Sequence, residues 1–464
     1  MTKTAPHCRA MGLAAALLFA LVTGCGAGDD PADAVTALDA PGVPDAAADA
    51  PHPPSSDVQA DAPEEHPTDD GAHPPIDSGH EGLDVAPDAG PDTPFVPGPD
   101  TETIPIYDES AVLEFRVTFA AGELQHMLDL GVAGSKDYVH CGFSWKGDSF
   151  PDAACRRKGN PTDFADEPKP QFSVRFNKWD KDGRFHGLRR IKLEAFPGEC
   201  VPIRDRLSFW MLREAGIDAP RANHARVFVN DAYFGLYESL EAVDREFLED
   251  HYKDPTGNLY EHGNELSTNE ATADTADLKA LQTLVDDEPM QANHGFFFKK
   301  LAKLMDIAEV VREMAGETVF PTFDNYANGA ANYYYYNEPG RGFVVIPWDF
   351  DQVLTDFTPA TSDPWAFWGP PQAPSEPNRL WQLLQQDPGW HQAFEDALVE
   401  IRDGAFAKLP ARVDYVCKQI HDAWLEEPKN ANKWCKPEEY DAKCADLKKR
   451  IAERTTFLKT ALGH

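Results

Sequence analysis

The chain has 464 residues, with 78 acidic and 43 basic side chains and a net charge of −35 at pH 7. That balance disfavours nucleic acid and anionic lipid headgroups as partners. The length is too great for one typical compact core.

The N-terminus reads as a targeting segment. Lys3 and Arg9 precede an apolar run from Met11 to Val22. The run has the length of a secretory h-region and is too short to span a bilayer. It leads into Val22-Thr23-Gly24-Cys25, which resembles a bacterial lipobox. Residues 1–24 are then a signal peptide, and Cys25 becomes the lipidated first residue. An ordinary cleaved signal with an incidental cysteine is the alternative. Gly26 gives no indication of inner-membrane retention, so an exported protein anchored by lipid at the outer membrane or cell surface is expected.

Residues 25–103 read as a disordered acidic linker rich in Pro, Ala and Asp. Residues 26–100 carry 18 acids, and no Lys or Arg stands between Arg9 and Arg116. Such a segment buries too little apolar surface to offset its ordering entropy, and its like charges keep it extended. It reads as a tether. A calcium role for its aspartates is the rival, without a spaced loop motif to support it.

Residues 104–464 read as the folded part and suit two lobes. The linker's acids removed, 60 acids and 41 bases remain, a net of −19. No second apolar run reaches spanning length. Beyond Cys8 and Cys25 the chain holds Cys141, Cys155, Cys200, Cys417, Cys435 and Cys444. In an oxidising compartment these permit up to three disulfides, and full pairing needs a bridge between the early and late groups. No paired Cys/His spacing supports zinc.

In chain order, Val112–Phe119 alternates apolar and polar residues as a strand does, and so does Phe172–Phe176. Ile203–Glu214 has helical spacing and stops at Gly216. Arg226–Tyr237 reads as a hairpin about Asn230-Asp231. Helical spacing then recurs in Leu278–Leu284, Phe296–Met314, Trp390–Phe406, Ala411–Leu425 and Leu447–Leu462. Thr358–Asn378, rich in proline, reads as a long loop. The pattern predicts an α+β protein, β-rich over 104–260 and mainly helical over 261–464.

Within the mainly helical part stands GFVVIPWDFDQ, residues 342–352. A strand-like run closes with Asp349 and Asp351 two apart, on one side of an extended chain. Two readings fit: a metal–phosphate site, since Mg²⁺ favours one or two carboxylates plus phosphate oxygens, or a solvated acidic turn. Asp324 opens DNYANGAAN; if that stretch were helical, Asp324, Asn328 and Asn332 would share a face. Lys169 and Arg204 read equally as surface charges, Glu241 as a strand-edge acid and Asp324 as a helix cap.

Taken together, these segments resemble the spore-coat-protein-H (CotH) kinase family. The likeness runs from about Ile106 to the C-terminal helix. It is carried by GIDAPRANHARVFVNDAYFGLYESLEAVD (216–244), GNLYE (257–261) and DNYANGAANYYYYNEPGRGFVVIPWDFD (324–351), with RRKGN (156–160) and RFHGLRRIKL (184–193) in support. The resemblance implies a two-lobed atypical protein-kinase-like fold, with ATP and Mg²⁺ (or Mn²⁺) between a β-rich and a helical lobe. It implies Asp324 as the catalytic acid, Asp349 and its companion Asp351 as metal ligands, and Asn332 as a second metal ligand or a structural clamp. Lys158, Gly159 and Asn160 become the phosphate loop, and Lys169 the phosphate-pairing lysine with Glu241 as its ion-pair partner. Arg175 could take the role of Lys169, and Arg204 joins the ATP-binding set. Two departures fall on the nucleotide side. Pro161 and Thr162 stand where the family usually has two serines, and Pro161 lacks an N–H for a phosphate. EAFPGEC (194–200) departs from the usual pattern, with Glu199 at best in place of an Asp. The expected activity is phosphorylation of Ser or Thr on envelope or surface proteins; the alternative is a non-catalytic adhesion or scaffold module of the same fold.

Overall fold

The structure is a computed structural model that describes residues 105–159, 169–195, 200–271, 274–287, 293–355, 358–366, 378–427 and 436–463. The signal segment, Cys25, the acidic linker, Asn160, Pro161, Thr162, Glu199 and Cys435 lie outside the described residues. Everything described falls within one compact unit.

Strands β1 (Leu113–Thr118), β2 (Val139–Trp145), β3 (Asp148–Lys158), β4 (Gln171–Arg175), β5 (Arg190–Glu194), β6 (Ala222–Val229) and β7 (Ala232–Leu240) close a barrel in the order β1-β2-β3-β4-β5-β7-β6. β6 returns beside β1 in parallel, and the other pairings are antiparallel. The period-2 alternation aims Phe115, Val117, Phe143, Phe172, Val174, Ile191 and Leu193 into one apolar interior. The β6–β7 hairpin turns where expected: Asn230 and Asp231 both have left-handed φ, 47° and 65°, the conformation such a turn requires.

Helices α1 (Glu123–Val132), α2 (Arg204–Glu214) and α3 (Arg245–His251) lie between or after the barrel strands. The chain then forms β8 (Asn258–Glu261) and β9 (Glu265–Leu266), followed by α4 (Ala276–Asp286), α5 (His294–Leu301), α6 (Ile307–Thr318) and α7 (Tyr326–Gly329). The hairpin β10 (Tyr333–Glu338) and β11 (Gly342–Pro347) joins β8 and β9 in a four-stranded sheet, order β11-β10-β8-β9. Helices α8 (Arg379–Gln386), α9 (Pro388–Asp403), α10 (Leu409–Leu425) and α11 (Tyr440–Leu462) complete the chain. The protein is α+β. A second, larger apolar core joins α2, the later helices and the β10–β11 hairpin.

Two local readings change. The helical spacing of Phe296–Met314 resolves into two helices, because Asp306 caps α6 by accepting from Glu309 N at 3.2 Å. DNYANGAAN is helical only over Tyr326–Gly329, and Ala330, with a left-handed φ of 51°, ends the turn.

Cys141 pairs with Cys155, and Cys417 with Cys444. Cys200 is also disulfide-bonded. Among the described residues, no helix is long and apolar enough to cross a membrane.

Candidate active site

One wall of the site is the outer face of the barrel. Arg156 stands opposite Ser173, and Ser173 opposite Lys192, so these three share a face. Two residues along each strand, Lys158, Arg190 and Glu194 project on the same side. Glu238 lies opposite Glu194 on β7. While the interior of these strands is apolar, their outer face is densely charged. Lys158 forms an ion pair with the buried Glu194. Lys192 is 9% exposed, and its Nζ lies 3.6 Å from the centroid of the Trp348 ring. Burial pushes its ammonium pKa down to about 7, and the neighbouring Arg190 and Lys158 act in the same direction. A lysine held close to neutral in this way is poised to take an anion, which would restore its charge.

The facing wall comes from β11 and the turn after it. Trp348 N donates to Asn332 O at 3.0 Å, joining the end of β11 to the end of the α7 turn. Asp349 follows with a left-handed φ of 59°, a conformation that costs a residue with a Cβ and is enriched at functional sites. Because β11 stops at Pro347, strand alternation does not set Asp349 and Asp351; the buried Phe350 anchors the turn between them.

Asp324 is fixed through its backbone. Its N–H donates to Thr322 Oγ1 at 3.2 Å, and its carbonyl accepts from Asn332 Nδ2 at 3.2 Å. The turn therefore brings Asp324 and Asn332 together without the helical face expected from the sequence. Asn328 turns inward, donating to Thr322 O at 3.3 Å. Burial, reinforced by the charge of Asp349, pushes the Asp324 carboxyl up to about 6, and the Asn332 amide opposes the shift. Burial also raises Asp349; Lys158 is the strongest opposing influence, Glu194 adds to the rise, and Lys192 and His262 oppose it. Asp349 is solvent-exposed, although the protein packed about its carboxyl raises its pKa. It thus stands between Asp324 on its own side and Lys158 and Lys192 on the barrel.

The structure corrects the assignment of Lys169 and Glu241. Lys169 is buried, donates from Nζ to Leu236 O at 2.6 Å and pairs with Glu427 Oε1 at 2.6 Å. Glu241 instead accepts from Arg221, through N at 2.9 Å and Nε at 3.0 Å. The two therefore do not form the expected pair. Arg175, the alternative, donates to Asn177 Oδ1 at 2.8 Å. Gly159 is exposed with φ 100°, consistent with a turn leaving β3. Arg204 donates from Nε to Val353 O at 2.8 Å, tying α2 to the segment after Asp351.

Three residues that sequence reasoning passed over belong here: Lys192, Glu194 and Asp205. Lys192 and Glu194 were legible as alternate positions of the strand that follows RFHG. Asp205, in the first turn of α2, is 1% exposed, and neither carboxylate oxygen has a hydrogen-bond partner among the described residues. Burial, then Glu238, Asp349, Asp351 and Glu194, raise its pKa well above the usual carboxylate range.

Among the described residues, no three His, Cys, Asp or Glu side chains converge as a closed metal cage. The donors present, Asp349, Asp351 and the Asn332 amide, fit a hard cation that brings phosphate and water oxygens with it, the coordination Mg²⁺ favours.

The fold joins a closed barrel to a mainly helical part, with charged residues of the barrel's outer face beside the turn after β11. The chain belongs to the CotH kinase protein family, whose model matches residues 146–458. It is similar to the inner spore coat protein H of Bacillus subtilis (strain 168), 26% identical over 185 residues, covering 36% of this chain and 50% of that protein. The chain thus spans about half the length of that relative. Among solved structures it is similar to the proinflammatory kinase CtkA of Helicobacter pylori, at 11% identity and a TM-score of 0.33, covering 66% of this chain and 96% of the other. It is also similar to a complex of the Shewanella oneidensis MR-1 toxin–antitoxin proteins HipA and HipB with operator DNA, at 13% identity and a TM-score of 0.27, covering 75% and 82%.

Proposed function

We propose that this protein is a CotH-type kinase that transfers the γ-phosphate of ATP to Ser or Thr hydroxyls of envelope or surface proteins. The observation that carries the reading is that Asp349 stands within electrostatic reach of Asp324 on one side and of Lys158 and Lys192 on the other. Phosphoryl transfer asks mainly for positioning and charge neutralisation. Lys158 and Lys192 would pair with phosphate oxygens and orient the chain of the nucleotide. Asp324, raised to about 6, is ionised at neutral pH and able to take the proton of the acceptor hydroxyl. Asp349, Asp351 and Asn332 would hold Mg²⁺ or Mn²⁺, which when bound offsets charge on the phosphates. Family membership supports nucleotide and metal use.

The N-terminal pattern supports export and a lipid anchor at Cys25, at the outer membrane or cell surface; acylated Cys25 in mass analysis of the mature terminus is the expected result. The second reading, a non-catalytic adhesion or scaffold module, draws on Pro161 and Thr162 in the phosphate loop. A transfer assay separates the two. Wild type with Mg²⁺–ATP and dephosphorylated casein should yield phosphoserine or phosphothreonine. Asp349→Asn should lower the rate by about 10²–10³-fold with the fold intact. No transfer by wild type, or transfer untouched by Asp349→Asn, would favour the binding module.

A further inference from the structure

Helix α6 holds two glutamates the proposed chemistry does not use. Glu313 and Glu317 stand one turn apart, on one helix face, and each is 0% exposed. Glu317 Oε2 accepts from Ala327 N at 2.8 Å, and the N–H of Tyr326 is directed at the same carboxylate. Glu317 Oε1 and both oxygens of Glu313 have no partner among the described residues. Two buried carboxyls side by side cannot both be ionised. A proton on one Glu313 oxygen, donated to Glu317 Oε1, gives two of the three orphaned oxygens a partner. Burial and the charge of Glu317 hold that proton well above the usual glutamate range; burial raises Glu317 too, to about 7, against the Glu313 hydrogen bond and the N–H groups of Ala327 and Tyr326. The other titratable groups facing the pair are the phenols of Tyr326 and Tyr335, whose hydroxyls lie 2.7 Å apart, and Glu309 one turn earlier on α6. These phenols stay neutral because burial raises both.

Tyr326 and Ala327 follow Asp324 by two and three residues and are themselves buried. Thr322, Asn332 and Asn325 fix the rest of this turn. We propose that Glu317 is a positioning residue for Asp324: its carboxylate clamps the backbone N–H groups at the start of α7, and the proton on Glu313 holds that carboxylate in place. The proposal rests on the kinase reading for its effect on rate, but the clamp itself can be read without it.

The test compares wild type with Glu317→Leu, Glu317→Gln, Glu313→Leu and Glu313→Gln in the full chain. It reads amide hydrogen exchange at Tyr326 and Ala327, and kcat and KM for ATP. Glu317→Leu should speed exchange at both amides and lower kcat by about tenfold to a hundredfold. KM for ATP should hold, because the barrel lysines are untouched. Glu317→Gln keeps an acceptor but loses the charge, so it should fall between wild type and Glu317→Leu. Glu313→Gln keeps a neutral donor and should cost far less than Glu313→Leu. Unaltered exchange in Glu317→Leu, or faster exchange with unaltered kcat, would overturn the proposal. If Glu317→Leu does not fold, Glu317→Gln decides: exchange and kcat equal to wild type overturn it. If wild type transfers no phosphate, the kinase reading falls and the exchange data alone judge the clamp.

Discussion

The inside and the outside of the barrel are built from the same strands and answer to different constraints. Phe172, Val174, Ile191 and Leu193 are all 0% exposed in the interior. One residue along, Ser173, Arg190, Lys192 and Glu194 face the cleft. The interior is held by close packing, which tolerates other apolar residues of similar volume. The outer wall places charges that burial makes costly, so it is maintained by partners: Lys158 with Glu194, and Arg190 with Asp244 at 3.4 Å. A single-residue alternation therefore separates what makes the fold from what equips the site. The same contrast separates two buried lysines. Lys169 is paired with Glu427, while Lys192 lies beside Trp348 with Arg190 and Lys158 as well as Glu261 and Glu194 around it.

The sharpest way to break this division is from the inside. Phe172→Ala should destabilise the protein by about 3–5 kcal/mol through its cavity, measured by denaturant unfolding. If nucleotide binding fell while stability held, interior and outer wall would not be separable.

A smaller effect contrasts the barrel with α6 by pH. His224, on β6, is 0% exposed, and burial with Arg206 pushes its pKa down to about 3. It is neutral in the folded state, so its contribution is lost as pH falls from the ordinary imidazole range toward 3. Glu313 has the opposite sign. Its folded pKa is raised, so its contribution is full below the ordinary glutamate value and is lost as pH rises toward the folded one. Glu313→Gln removes that dependence. Its stability relative to wild type should therefore rise with pH above about 5, by up to about 1.4 kcal/mol per pH unit. Unfolding midpoints at several pH values check this; a difference flat across pH would mean that Glu313 does not carry the proton.

Much of the fold could be read from local pattern. The alternation of Phe172–Phe176 and the turn residues Asn230-Asp231 act within a few residues, and the structure keeps both. Asp324 and Asp349 stood out because acids beside aromatic and apolar runs need a reason to be there. The break in DNYANGAAN was less visible. Alanine favours helix, yet Ala330 and Asn332 take left-handed φ of 51° and 54°, because Asn332 is held to both Asp324 and Trp348. Lys169 could not be assigned from sequence, since Glu427 lies far along the chain and only tertiary folding brings the two together. Lys192 was hidden for a related reason: in RIKLE it looks like any solvent-facing lysine, and only the arrival of Trp348 over it makes it part of a cleft.

In the proposed kinase, the barrel wall and the β11 turn clasp one nucleotide phosphate between them. Calorimetric titration of the purified protein with Mg²⁺–ATP tests it most directly, with Lys192→Met altering one wall and Asp349→Asn the other. Wild type should bind, and each variant should bind at least about tenfold more weakly, the loss of one desolvated charge contact, with unfolding midpoints kept. Binding that neither substitution alters, or no binding by folded wild type, would contradict it.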